Sequence, residues 1–164
     1  MELSIKALTL LAAIVLTGLS AGLFYAWQVS VIPGTRKVMD MTYMQTMQSI
    51  NREILNPAFF LIFFGSLIAL AVSTILEYNN GPAFWMFLAA TTTYLLGTFG
   101  VTVFGNVPLN DSLDVLELGE LAVNKAADFR KNYEIKWNRW HLIRTVFSVL
   151  AFVFSLLGVF VQLK

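Results

Sequence analysis

Residues 7–32, 57–76 and 82–104 hold no charged side chain, and residues 142–163 hold only Arg144. Each run has about 20 residues or more, enough for a helix to cross a ~30 Å hydrocarbon layer at 1.5 Å per residue. Inside lipid, each backbone N–H and C=O must be satisfied within the segment itself, and continuous helix does that. The pattern therefore predicts a single all-α membrane domain over residues 1–164. Four transmembrane helices, over about 7–32, 57–77, 82–104 and 141–163, form an antiparallel bundle. Amphipathic helices occupy the two long loops.

The four prolines fit these limits. Asn56-Pro57 reads as an N-cap with proline at the first helical position, and Gly81-Pro82 reads the same way. Pro33 follows the first run and Pro108 the third, so no proline is expected inside a span. In the first long loop, Met39, Tyr43, Met47, Ile50 and Ile54 recur every three or four residues. That spacing predicts a helix lying along the membrane surface. A second short helix is expected over residues 111–122, capped by Asn110 or Asp111. Phe129, Tyr133, Trp137 and Trp140 lead into the fourth run without a breaker. One long helix is expected from about Ala126, with its tryptophans at the membrane interface. Gly18 and Gly22 form a small-xxx-small pair suited to close helix packing. No internal repeat is present.

Composition agrees with this class. Hydrophobic residues make up 57% and charged ones 13%, where soluble domains carry about 25% charged residues. Mean hydropathy is +0.70. A net charge of +1 with no clustered basic face argues against nucleic acid as a partner. No cysteine means no disulfide and no thiolate chemistry, and a single histidine rules out a multi-histidine metal centre within one chain. No metal site is expected.

Eight basic residues, Arg36, Lys37, Arg52, Lys125, Arg130, Lys131, Lys136 and Arg139, lie in the two long loops, against Lys6 and Lys164 on the other side. By the positive-inside rule both loops are cytoplasmic and both termini outside, as in a bacterial inner membrane. The first run, with Lys6 ahead of it and small residues at Ser20-Ala21, imitates a signal peptide. Its continuation to Ile32 is too long for one, so it is read as a span.

The uncommon polar residues gather at the loop-bearing end. Gln28 and Ser30 close the first span, Gln48, Asn51 and Asn56 precede the second, Asn106 and Asn110 follow the third, and Asn138, His141 and Arg144 open the fourth. The outer half looks almost wholly apolar apart from hydroxyls such as Thr91, Thr92 and Thr93. An arginine within a span costs about 2.5–3.5 kcal/mol at mid-bilayer and less near the interface. Trp137, His141 and Arg144 lie close to one helical stripe. Arg144 reads either as a cation facing a cavity or as an interfacial arginine snorkelling to phosphates. Gln48 and Asn51 also have a water-facing reading, and Asn56 and Asn110 have cap readings. Asp111, Asp114, Glu117 and Glu120 read as a solvated face. No GxSxG, Walker A or glycine-rich nucleotide loop is present.

Four pieces of the chain together resemble the anthrone oxygenase-like integral membrane proteins. They are residues 22–33, Gln48-Ser49-Ile50-Asn51 with Asn56-Pro57, Asn106-Val107-Pro108-Leu109-Asn110, and Trp137-Asn138-Arg139-Trp140-His141-Leu142-Ile143-Arg144-Thr145. The resemblance runs from Gly18 to about Thr145. It implies a four-helix membrane bundle that oxidises anthrones to anthraquinones with O₂, with no firmly established metal or flavin, so no cofactor is expected. On that implication His141 is the base, Arg144 with Asn106 or Asn110 holds an oxyanion, and Asn138, Trp137, Gln48, Asn51 and Gln28 bind and orient a planar, apolar aromatic or quinol-like substrate. The alternative is a non-catalytic membrane protein that binds a quinone or lipid, or an accessory subunit of a membrane complex. The lipid bilayer is the expected partner, with a homo-oligomer or a membrane complex as the further association. A transporter fits less well, because the spans lack paired charges and proline-broken helices.

Overall fold

A computed structural model describes residues 4–162, and these are all helix and short connections. Lys164 and the last residue of the fourth expected span lie outside the described residues. Four helices are long and apolar enough to cross a membrane: α1 (Ile5–Thr35), α3 (Pro57–Leu76), α4 (Gly81–Asp114) and α5 (Val123–Phe160). They close a ring in which α1 packs on α3 and α5, and α4 packs on α3 and α5. Between α1 and α3, helix α2 (Asp40–Glu53) packs across the extension of α5 and the end of α4.

The chain-end chemistry of α3 follows its sequence. Asn56 Oδ1 accepts from the Phe59 N–H at 3.0 Å, and Pro57 occupies the first turn, where no N–H is needed.

Helices α1 and α4 depart from the expected limits. Both continue through a proline, Pro33 in α1 and Pro108 in α4. Proline lacks an N–H, and its ring presses on the carbonyl four residues back. A wider π turn lies directly ahead of each proline: Ile32 N–H reaches Trp27 O, and Val107 N–H reaches Thr102 O. That five-residue reach makes room for the ring, so the helix bulges instead of ending. A further π segment covers Tyr94–Gly100. Because α4 runs on to Asp114, the separate helix expected over residues 111–122 is absent. Asn110 and Asp111 sit inside α4, and only a 3₁₀ turn, Leu118–Glu120, follows.

Two hydrophobic clusters stack along the bundle. One, within the spans, contains Leu10, Leu70, Phe87, Ala90 and Ala151. The other, at the loop-bearing end, joins Tyr43, Met44 and Met47 of α2 to Leu113, Tyr133 and Trp137. So α2 turns Tyr43 and Met47 against protein. Trp137, expected at the interface, is also buried, and only Trp140 of the pair is partly exposed.

The inner face of α5 is read at intervals of three and four: Ala126, Arg130, Tyr133, Trp137, His141, Arg144, Ser148, Ala151, Ser155 and Gly158 are all buried. Large polar and aromatic groups fill its loop-side half, and small residues the half toward its C-terminal end. Close approach of α4 to α5 depends on glycine. A Cβ on Gly105 would lie 2.7 Å from the Trp140 ring, and one on Gly97 would overlap Phe147. Of the small pair in α1, Gly18 faces Phe152, but Gly22 meets open space and takes no part in packing.

The half of the bundle away from the long loops is less apolar than its sequence suggests. Glu77, fully buried just past α3, binds Lys6 Nζ at 3.0 Å and accepts from Asn80 Nδ2 at 2.7 Å. Lys6 and Glu77 flank separate runs, and only the antiparallel packing of α1 on α3 brings them together. Lys6 stays 41% exposed, so its ammonium keeps water while it offsets part of the cost of burying the Glu77 carboxylate.

Candidate active site

The two clusters leave a polar layer between them, and Arg144 lies at its centre. Arg144 is only 8% exposed. Its Nε and Nη2 stand 3.1 and 2.9 Å from His141 Nδ1, and Nη1 stands 3.4 Å from Thr102 Oγ1. The guanidinium lies over the Phe24 ring at 4.6 Å and the Trp137 ring at 5.3 Å. No carboxylate lies within ion-pair distance of it among the described residues. Two aromatic faces and a neutral imidazole therefore replace the counter-ion that a buried cation usually keeps.

His141 is fully buried behind this arginine. A guanidinium has no lone pair to offer, so Nδ1 is the acceptor. Nε2 then carries the proton and donates to Phe24 O at 3.1 Å. That carbonyl is reachable because α1 changes winding there, with the Trp27 N–H shared between Leu23 O and Phe24 O. The imidazole stacks on Trp137 at 5.0 Å and 6°, with Phe24 edge-on at 6.0 Å and Trp27 at 6.4 Å. Both ring nitrogens are engaged.

A second network sits one turn nearer the loops. Asn110 Oδ1 accepts from Trp137 Nε1 at 2.8 Å and from Tyr133 OH at 3.3 Å, and Tyr133 OH accepts from Asn51 Nδ2 at 3.3 Å. Asn106 is buried with its Nδ2 donating to Trp137 O at 3.2 Å, while its Oδ1 has no partner. Asn106, Asn110 and Thr102 share one side of α4 because they are four residues apart.

Part of this layer borders a cleft of about 80 Å³ between α1, α2, α4 and α5, with His141, Asn106 and Tyr133 set behind its lining. Arg144, Thr102, Asn110, Asn51 and Trp137 supply its polar side, and Phe24 and Trp27 an aromatic wall. Ile50 from α2, Ile54 and Leu55 from the turn after it, and Phe59 from the first turn of α3 form the opposite side. Small-molecule sites usually hold ~300–1,000 Å³, so a fused aromatic enters only if that side moves outward. Leu55 is 64% exposed, which leaves it room to do so.

The fold thus brings together Asn51, Asn106, Asn110, Trp137, His141 and Arg144. It takes the other candidates elsewhere. Gln48 Nε2 donates to Leu113 O at 2.8 Å and Leu116 O at 3.0 Å, satisfying carbonyls at the end of α4. Gln28 and Asn138 border a different groove, on the outer side of α1 and α5. Phe24, Trp27, Thr102 and Tyr133 are also in the layer, although the sequence marks Tyr133 only as part of an aromatic stripe and none of the four as a site residue. Thr102 lies one turn before Asn106 and Tyr133 one turn before Trp137, so helical spacing pointed to both.

Arg130, counted above only as a loop charge, is also buried. It bonds Thr35 O, Arg36 O, Val38 O, Asp40 and Glu134, and lies 4.5 Å over the Tyr43 ring. It ties the end of α1 and the start of α2 to α5 and so holds one wall of the cleft.

No curated protein and no solved structure matches the chain. A family model described as anthrone oxygenase matches residues 46–154, from within α2 to the C-terminal half of α5 and well over half the chain. The protein belongs to the anthrone oxygenase family.

Proposed function

We propose that the protein is a membrane-embedded oxygenase whose cleft beside Arg144 takes a planar aromatic with an acidic ring methylene, such as an anthrone, and exposes its anion to O₂. One observation carries the reading: a buried arginine, clamped between two aromatic rings and lacking a carboxylate partner, borders an aromatic-walled cleft. Family membership supports an oxygenase-like function in general terms. Such a cation stabilises negative charge on a bound ketone oxygen far more than it would in water, because the site is dry and already oriented.

Loss of a methylene proton turns the ketone into an aromatic enolate, with its oxygen against Arg144 and the proton passed to water at the cleft mouth. The electron-rich ring carbon transfers one electron to O₂, the radical pair combines to a peroxide anion at that carbon, and a proton returned from water at the cleft mouth makes it a hydroperoxide. Loss of water from the hydroperoxide leaves the second carbonyl. The overall change is ketone plus O₂ to quinone plus one water, with O₂ as the only oxidant. Arg144 and the Asn110 amide hold the oxygen, while Phe24, Trp27 and Trp137 hold the rings. The family resemblance implies His141 as the base. With Nδ1 taken by Arg144 and Nε2 by Phe24 O, we assign it instead to positioning the guanidinium.

The same engagement of His141 favours a second reading, a site that binds an aromatic anion or quinone without chemistry. Oxygen uptake on adding anthrone to the purified protein separates the two. Under the first reading wild type consumes O₂, and Arg144→Gln loses about 10²–10³ in kcat, the usual effect of removing an oxyanion donor. His141→Asn slows turnover without removing an inflection from the pH profile, because a positioning group does not titrate in the step. Full turnover by Arg144→Gln would sink the assignment, and anthrone binding without oxygen uptake would leave the second reading.

A further inference from the structure

A separate groove of about 570 Å³ runs between the loop-side end of α1 and α5, outside the bundle and apart from the cleft. Arg36, Lys131 and Arg139 border it, with Gln28 and Asn138 between them. The one acidic residue on its edge, Glu134, is taken up by Arg130 at 3.0 Å and Arg36 at 3.7 Å. Lys131 and Arg139 have no carboxylate within ion-pair distance among the described residues. Gln28 Oε1 is buried and has no hydrogen-bond partner.

We propose that this groove holds the headgroup of an anionic phospholipid, with the phosphodiester between Arg36, Lys131 and Arg139 and a headgroup hydroxyl donating to Gln28. The depth fits: Trp140, partly exposed next to Arg139, marks the band where aromatic side chains meet headgroups. The shape fits an amphipathic ligand better than free phosphate. Ile135 and Leu142 line the groove and are exposed, and the exposed stripe continues down α5 through Val146 and Val153. An acyl chain lies along that stripe when its phosphate is in the groove. Basic pockets between transmembrane helices recognise lipid headgroups by this combination of charge and adjoining apolar wall. A choline headgroup carries no hydroxyl or N–H for Gln28 and adds a cation beside Arg139, so it is disfavoured.

The test is native mass spectrometry of the full chain released from vesicles of equal phosphatidylglycerol and phosphatidylcholine with matched acyl chains. Wild type retains phosphatidylglycerol over phosphatidylcholine by on the order of tenfold to a hundredfold, from about three basic contacts near the lipid surface. Arg36→Gln/Lys131→Gln/Arg139→Gln loses that preference. The control Lys37→Gln/Lys125→Gln/Lys136→Gln removes as much charge from the same end of the molecule and keeps it. Equal retention of both lipids by wild type overturns the proposal, and so does equal loss in both triple variants, which would mean diffuse attraction. A parallel arm adds inorganic phosphate to delipidated protein in detergent. Phosphate binding through the same three residues, as tight as that of the lipid, also overturns it. None of these readouts depends on oxygenase activity.

Discussion

Arg130→Ala tests whether the loop-side layer is held to the bundle at one point. Arg130 makes five hydrogen bonds: three to carbonyls of Thr35, Arg36 and Val38, one to Asp40 Oδ1 at 2.9 Å and one to Glu134 Oε2 at 3.0 Å. Its side chain is 10% exposed. Removing one member of a buried, hydrogen-bonded charge cluster costs about 3–5 kcal/mol, because its partners stay buried without it. Asp40 is 42% exposed and can recover water, so the lower end, about 3 kcal/mol, is expected. Arg130→Lys keeps the charge but cannot fork between α1 and Glu134, and should lose about 1–2 kcal/mol. Hydrogen exchange in detergent micelles reads the effect locally. About 3 kcal/mol corresponds to roughly a hundredfold faster exchange of the α2 amides if α2 opens as a unit, with α3 amides unchanged. Since α2 carries Ile50 and Asn51 of the cleft wall, and Ile54 follows directly on it, weaker anthrone binding should accompany it. Unchanged α2 protection in Arg130→Ala would refute the idea that this residue fastens the layer.

Two further substitutions follow from packing and burial. Gly97→Ala should destabilise the bundle more than Gly105→Ala, because the new Cβ at 97 overlaps Phe147 down to its own Cβ, while at 105 it meets only the Trp140 ring. Overpacking costs of about 1–3 kcal/mol are usual, and thermal unfolding in micelles should rank wild type, Gly105→Ala, Gly97→Ala; the reverse order would mean that α4 and α5 are not in this register. Burial pushes the Tyr43 phenol above its ordinary value of 10.0. Its share of stability is therefore whole below about pH 10 and falls by about 1.4 kcal/mol per pH unit above it, as the unfolded chain ionises first. Tyr43→Phe should flatten that alkaline decline in a denaturant titration, and an unchanged slope would count against it.

Residue order alone was enough for the membrane architecture, because it rests on local quantities: the length of uncharged runs, the cost of an unsatisfied backbone in lipid, and the Asn56-Pro57 start of α3. Helical spacing also put Trp137, His141 and Arg144 on one stripe. What α5 faces across that stripe was beyond local pattern. Phe24 O meets His141 because α1 changes winding ahead of Pro33, and Asn106 and Asn110 turn inward because α4 bulges ahead of Pro108 and continues. A proline after an apolar run looks the same in sequence whether the helix stops or widens; packing of the neighbouring helices decides. The same holds for Lys6 with Glu77, for Gln48 at the end of α4 and for Arg130 at its hub. Each pairing joins residues far apart in the chain, and long-range contact, not periodicity, selects the partner.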